Sequence, residues 1–159
     1  MQRVNCILEN KKFKEYVRKN KEYEISRKFC YHDMQHFLDV ARIAYIKVLE
    51  NNLKIEKDIV YATALLHDIG RGLEYETGIS HEKAGVELGS EILIECGYEK
   101  QEIGCILKAI GNHRNSNNLK NSLSEILYSS DKLSRCCFNC DAYKECKWSN
   151  EKKNSTIKY

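Results

Sequence analysis

Ala64-Leu65-Leu66-His67-Asp68-Ile69-Gly70-Arg71 brings an apolar run to an abrupt end in an imidazole, a carboxylate, a glycine and a guanidinium. The residues from Ala62 to Leu66 are apolar nearly all round, the pattern of a helix buried on every side. Such a helix delivers His67 and Asp68 to the interior. Burying a histidine beside an aspartate is costly unless each has a partner. A divalent metal suits both at once, because neutral imidazole and carboxylate are both ligands. Taken alone, the pair fits better a helix end with Asp68 in solvent and His67 against the last carbonyls, so the rest of the chain decides.

Outward from this run the sequence reads as all helical. Proline is absent, where about 8 would be expected at average usage. No sustained alternation and no Asn-Gly or Asp-Gly hairpin dipeptide marks a strand. The spacing predicts a first helix from Val4 to about Tyr23. A second runs over 34–50, capped by Asp33, with Met34, Phe37, Leu38, Ala41, Ala44, Tyr45, Val48 and Leu49 on its buried face. His36 lies in that helix's first turn, on a neighbouring stripe with Val40 and Ile43. The third helix, from about Glu56 to His67, is the buried one. Gly70, Gly72 and Gly78 punctuate a loop to about Ile79 with a turn near Leu73–Tyr75. Ser80 caps a fourth helix over 81–96, stopped by Gly97; a fifth spans about 99–112. A polar loop is expected from Asn115 to Asn121, and Ser122-Leu123-Ser124-Glu125 reads as a capping box for the sixth. The expected architecture is a compact bundle of about six to seven helices. One domain covers residues 1–135, and 136–159 form a cysteine-rich extension packed on it or trailing from it.

Composition sets further bounds. The 159 residues carry a net charge of +3, distributed as basic ends around an acidic middle that suits cations. No apolar run approaches the length of a membrane span, and the lysine-rich start lacks a signal-peptide core. A cytoplasmic protein with reduced cysteines is the expectation. No pattern of aromatic and basic residues argues for a nucleic-acid platform, and no motif specifies an oligomer or excludes one.

The chain has five histidines: His32, His36, His67, His81 and His113. Four of them fall at the first or last turn of an expected helix, the arrangement by which facing helices assemble metal sites. Asp131 adds a carboxylate among Ile126, Leu127 and Leu133. The order His36 … His67-Asp68 … Asp131, with the run Leu65-Leu66-His67-Asp68-Ile69-Gly70-Arg71, resembles the HD-domain superfamily of metal-dependent phosphohydrolases over roughly residues 30–135. Asp39 departs from the arginine that many of its members place there. The resemblance implies that His36, rather than His32, joins His67, Asp68 and Asp131 around one metal. It also implies that His81 and His113 match the extra histidines of branches with two metals bridged by Asp68. Those branches include cyclic-dinucleotide phosphodiesterases, whose second motif is absent here, and hydrolases of diadenosine tetraphosphate.

The ligand set carries an expected chemistry with it. Mixed N and O donors accept Fe, Mn, Zn or Mg, and bound water acidified to hydroxide attacks a phosphoryl group. Arg71, Lys132 and Arg114 stand beside ligand positions and can contact phosphate; by resemblance Arg71 is the foremost of them. The His-Glu-x-x-His, P-loop and Gly-x-Ser-x-Gly signatures of rival hydrolases are missing. A second cluster, Cys137-x2-Cys140 with Cys146 or Cys136, has the spacing of a structural zinc or iron–sulfur site. It reads equally as a redox-labile pair or as plain thiols. Cys6, Cys30, Cys96 and Cys105 read as small core residues.

Three readings of function result. The first is a phosphohydrolase of a nucleotide or related phosphate mono- or diester, with a small phosphorylated molecule as its partner. The second is a metal- or nucleotide-binding regulatory protein with little turnover. The third is a metal or redox sensor acting through the cysteine tail.

Overall fold

A computed structural model describes residues 1–114 and 122–159. The loop expected at Asn115–Asn121 lies outside the described residues. Eight α-helices and one three-residue 3-10 turn make up the regular structure among them, and no strand occurs there. They are α1 (Gln2–Glu9), α2 (Lys11–Tyr23), α3 (Met34–Glu50), α4 (Lys57–Leu66), α5 (Arg71–Thr77), α6 (His81–Glu95), α7 (Lys100–Asn112) and α8 (Leu123–Leu133), with the turn Cys137–Asn139 after them. No helix among the described residues is long and apolar enough to cross a membrane.

The two additional helices come from local chemistry that apolar periodicity does not see. Asn10 takes an extended conformation, and its side-chain oxygen accepts from the amides of Lys12 and Phe13. It therefore ends α1 and caps α2 within the single helix expected over 4–23. The glycine-punctuated stretch after Gly70 is helical as α5, ending where Gly78 adopts the left-handed conformation, φ 76°. Asp33 caps α3 as its sequence position predicts, accepting from the His36 amide at 3.0 Å. Ser80 stands at the cap of α6 but makes no side-chain cap bond.

Helix α4 is the centre of the bundle. Its Ile59, Val60, Ala62, Thr63, Ala64, Leu65 and Leu66 are all buried, and α1, α3, α7 and α8 pack around it. Helix α3 is covered by both α4 and α8. Its buried face consequently turns toward Val40 and Ile43 and leaves Leu49, expected inside, 58% exposed. Two cysteines differ from expectation as well. Cys6 and Cys96 form a disulfide that joins α1 to the end of α6 across 90 residues of sequence, so they are not separate reduced thiols. Cys105 is exposed on α7 and is not a core residue.

Close approach of α6 to the turn after α4 positions the site. A Cβ built on Gly70 would run into the His81 carbonyl oxygen and stand 2.7 Å from the Gly85 amide nitrogen. Gly85 in turn lies against Ile110 and the His67 carbonyl. From the other side α2 supplies the buried Asn20, whose amide donates to the Asp68 carbonyl at 2.9 Å and accepts from the Gly72 amide at 2.7 Å.

Two glycine substitutions test this packing in opposite directions. Gly70→Ala is expected to lose about 2 kcal/mol or more of stability from overpacking against backbone. Gly104→Ala, with open space around its Cβ, should be neutral or gain up to about 1 kcal/mol from helix propensity. Denaturant midpoints of the two variants provide the check, and equal effects would contradict the close approach.

Candidate metal centre

The apolar faces of α3, α4, α6, α7 and α8 bring the ends of these helices to one place. His36 comes from the first turn of α3, His67 and Asp68 from the end of α4, His81 from the start of α6, His113 from the end of α7 and Asp131 from α8. All six are buried. Potential ligand atoms of His36, His67, Asp68 and Asp131 lie within 4.8 Å of one another, and so do those of Asp68, His81 and His113.

The carboxylate of Asp68 divides its two oxygens between these groups. Oδ2 faces the Nε2 atoms of His67 at 3.1 Å and of His36 at 3.8 Å. Oδ1 faces those of His81 at 3.3 Å and His113 at 3.5 Å. On the first side His36 Nε2 is also 3.4 Å from Asp131 Oδ1.

Hydrogen bonds on the far side of each ring fix which nitrogen points inward. His67 Nδ1 lies 2.7 Å from the Ala64 carbonyl and His113 Nδ1 lies on the Ile110 carbonyl. A carbonyl can only accept, so both Nδ1 atoms carry hydrogen. His81 Nδ1 meets Glu74 at 2.7 Å and His32 Nδ1 meets Glu24 at 2.6 Å. His36 Nδ1 meets the Ser134 hydroxyl, which spends its own proton on the Asp131 carbonyl. When neutral, all five rings thus present an Nε2 lone pair to the interior. His81 Nε2 and His113 Nε2 stand 3.1 Å apart, and the buried Nε2 atoms of His36 and His67 have no hydrogen-bond partner. Lone pairs facing each other beside buried carboxylates make a cation-binding arrangement, with the outer hydrogen bonds orienting the ligands.

Protonation agrees with that arrangement. Burial pushes His36 and His81 below the ordinary imidazole value and His32 down to about 4. Burial works to raise Asp68, but His67, Arg71, His113 and His36 outweigh it and hold the carboxyl well below its usual range. Asp131 is likewise kept low against burial by Arg135, His67 and Lys132. His67 alone is shifted upward: burial opposes its charge, and Asp68 and Asp131 outweigh burial. A proton on His67 Nε2 occupies the lone pair that a metal would use, so cation and proton compete for that atom.

The three cations singled out from sequence are placed differently. Arg71 is mostly covered, with Nε 3.1 Å from Asp68 Oδ1. Lys132 reaches the other oxygen of Asp131, Oδ2, at 2.5 Å. Arg114 is 54% exposed and pairs with Glu82 at 3.4 Å, outside the inner cluster. Cys137, Cys140 and Cys146 line a separate small cavity.

Several further residues belong to the site. His32 Nε2 also points at Asp68 Oδ2, at 3.8 Å. His32 precedes the cap of α3, so helical spacing from His36 gives no hint of its direction. Arg135 holds Asp131 Oδ1 at 3.0 Å, a spacing of four residues that could have flagged it. Glu24, Glu74 and Asn20 act through long-range contacts and left no local signal. Beside this cluster a cavity of about 430 Å³ opens between the start of α3 and the C-terminal segment, lined among others by Lys28, His36, Ser134, Arg135 and Asn139.

The family model described as "HD domain" matches residues 33–136, most of the chain. The chain belongs to the HD-domain family. HD domains bind divalent metals, and the buried His/Asp cluster is consistent with that. An uncharacterized protein of Clostridium beijerinckii is 45% identical over the full length of both chains. Ribonuclease Y of Latilactobacillus sakei is 29% identical over 103 residues, which cover 64% of this chain and 18% of that protein. The crystal structure of a predicted HD superfamily hydrolase from an uncultured Thermotogales bacterium superposes with a TM-score of 0.65 at 25% identity, covering 89% of this HD protein and 79% of that chain. Family model and structural neighbour agree on the HD-domain fold.

If the split of Asp68 governs binding, its two sides are separable. His113→Ala should lower bound metal from two ions per chain to one, and Asp68→Ala should abolish tight binding of both. Elemental analysis after dialysis against Mn²⁺, with far-UV circular dichroism to verify folding, reads both outcomes.

Proposed function

We propose that this HD protein is a metal-dependent phosphohydrolase that cleaves a nucleotide or a related small phosphate mono- or diester. The observation carrying the proposal is the position of Asp68. One buried carboxylate offers an oxygen to each of two groups of inward-facing imidazoles, the arrangement expected of a bridging ligand. His36, His67, Asp68 and Asp131 would hold one ion, and Asp68, His81 and His113 the other. When bound, such ions acidify a water and act as Lewis acids on a phosphoryl oxygen.

The chain's own groups have distinct parts in this reading. Glu74, the Ala64 and Ile110 carbonyls and Ser134 keep hydrogen on Nδ1 of the four histidines that line the two groups, which leaves their inner nitrogens free to coordinate. Arg71, fixed against Asp68 by its Nε and with one terminal nitrogen 3.9 Å from Glu74, would offer its guanidinium edge to phosphate oxygens. Lys132 and Arg135 hold Asp131 ionised, and Arg135 also lines the 430 Å³ cavity, with Lys28 and the carboxylates of Asp33, Asp39 and Asp141. That volume is in the range of sites for nucleotide-sized ligands. Ribonuclease Y, a relative in part of its length, adds an RNA phosphodiester to the substrates worth testing.

The experiment is hydrolysis, with Mn²⁺ or Fe²⁺ added, of a panel of 5′-nucleotides, cyclic nucleotides, dinucleoside polyphosphates and short RNA. Turnover of a member of the panel that disappears in Asp68→Ala is expected, and turnover unaffected by that substitution would overturn the metal mechanism. Arg71→Ala should lower kcat/KM by about 10²-fold or more if the guanidinium stabilises transition-state charge. Arg114→Ala, already engaged by Glu82 at the surface, should change it by no more than about threefold, a surface electrostatic effect.

A further inference from the structure

We propose that Cys30, Cys137, Cys140 and Cys146 form a four-thiolate site for one soft divalent ion, Zn²⁺, which fastens the C-terminal segment to the stretch of chain entering α3. The four cysteines, from two segments more than a hundred residues apart, line a single cavity of about 20 Å³ together with Phe29 and Tyr143. All four are free thiols and partly buried, whereas Cys105 and Cys136 are exposed and line no part of it. Cys30, which from sequence alone reads as a small core residue, supplies the fourth sulfur in place of Cys136.

The local backbone serves such a site. After α8 the only regular element is the 3-10 turn Cys137–Asn139. Three successive turns close from the Cys140 amide to the Cys137 carbonyl, from Tyr143 to Cys140 and from Cys146 to Ala142. They direct three cysteines at one cavity without a helix or an apolar core. A segment of this kind lacks the buried surface that ordinarily fixes a chain, and a structural ion supplies that constraint. Sulfur donors in fours select Zn²⁺ or an iron–sulfur cluster. The cavity has room for about one small ion or water, which favours a single zinc over a cluster of several irons.

Charge is provided for as well. Four thiolates around Zn²⁺ leave two negative charges, the thiol protons passing to solvent. Arg135 lies against Cys30, and Lys153 lines the cavity with its ammonium 4.2 Å above the Tyr143 ring. Atoms already within 4.8 Å of one another in threes or more belong to the His/Asp groups. The four cysteines line their cavity with no three sulfurs that close together, so binding would have to draw them onto the ion.

The consequence reaches the other site. Arg135 connects the two, holding Asp131 at 3.0 Å while its guanidinium stacks over Trp148 of the same segment. The cavity beside His36 is walled partly by this segment, including Cys137, Asn139 and Cys140.

Two measurements on the full chain test the proposal. In the first, the metal-free chain is titrated with Co²⁺. One equivalent should develop intense sulfur-to-cobalt charge-transfer absorption, which His and Asp ligands do not give. The band should persist in Cys136→Ser and be lost or sharply reduced in Cys30→Ser. In the second, Zn²⁺ should slow alkylation of the wild-type Cys30, Cys137, Cys140 and Cys146 at least about tenfold while Cys105 and Cys136 stay reactive. Peptide mapping reads this directly, so a Cys30→Ser chain that failed to fold would leave the test intact. Absence of both the band and the protection, a band independent of Cys30, or a disulfide between Cys137 and Cys140 in the zinc-treated protein would overturn it.

Discussion

The buried charge of Asp68 is the constraint on which the site and much of the fold depend. An ionised carboxylate removed from water is unstable unless compensated, and here its compensation comes from every direction. Arg71 lies on one oxygen, and imidazoles from four separate elements face the two oxygens. Its backbone carbonyl is taken by Asn20 from α2. No element provides this alone, which is why the helices must converge end-on rather than pack as a parallel bundle with a purely apolar centre.

Convergence in turn sets demands on small residues. Helix α6 brings His81 to Asp68 only because Gly70 and Gly85 let its first turns press against the end of α4. The outer hydrogen bonds of the histidines then convert packing into chemistry. Acceptors at Nδ1 are carbonyls of the preceding helical turn for His67 and His113, so the same helix ends that place those rings also fix their tautomer. Glu24, Glu74 and Ser134 perform this office for the rings whose own helices offer no free carbonyl nearby.

Much of this could be read from the chain directly. The buried character of α4 was evident from apolar residues on all its faces, and Asp33 and Gly97 marked the ends of their helices by ordinary cap chemistry. The residues of the two groups were legible because a helix end is a local signal and the His-Asp pair is a distinctive one. The division at Asn10 was hidden because the flanking apolar stripe continues across it, while the cap depends on a side-chain bond to two amides. Leu49 and Ile43 exchanged roles because burial on α3 depends on two neighbours, and periodicity describes only one face. The Cys6–Cys96 pairing and the gathering of Cys30 with Cys137, Cys140 and Cys146 join positions distant in sequence, for which spacing carries no information.

The sequence by itself determined the helical class, the family and the residue types of the buried His/Asp cluster, since each rests on local pattern: period, caps and the motif around His67 and Asp68. Tertiary structure alone decided how the groups are used. It turned the two oxygens of Asp68 toward different sets of imidazoles, brought His32 and Arg135 into the site, left Arg114 at its margin, and set Cys30 beside the tail cysteines. The physical reason is that direction and distance between side chains on different helices arise from packing, which one-dimensional spacing does not encode.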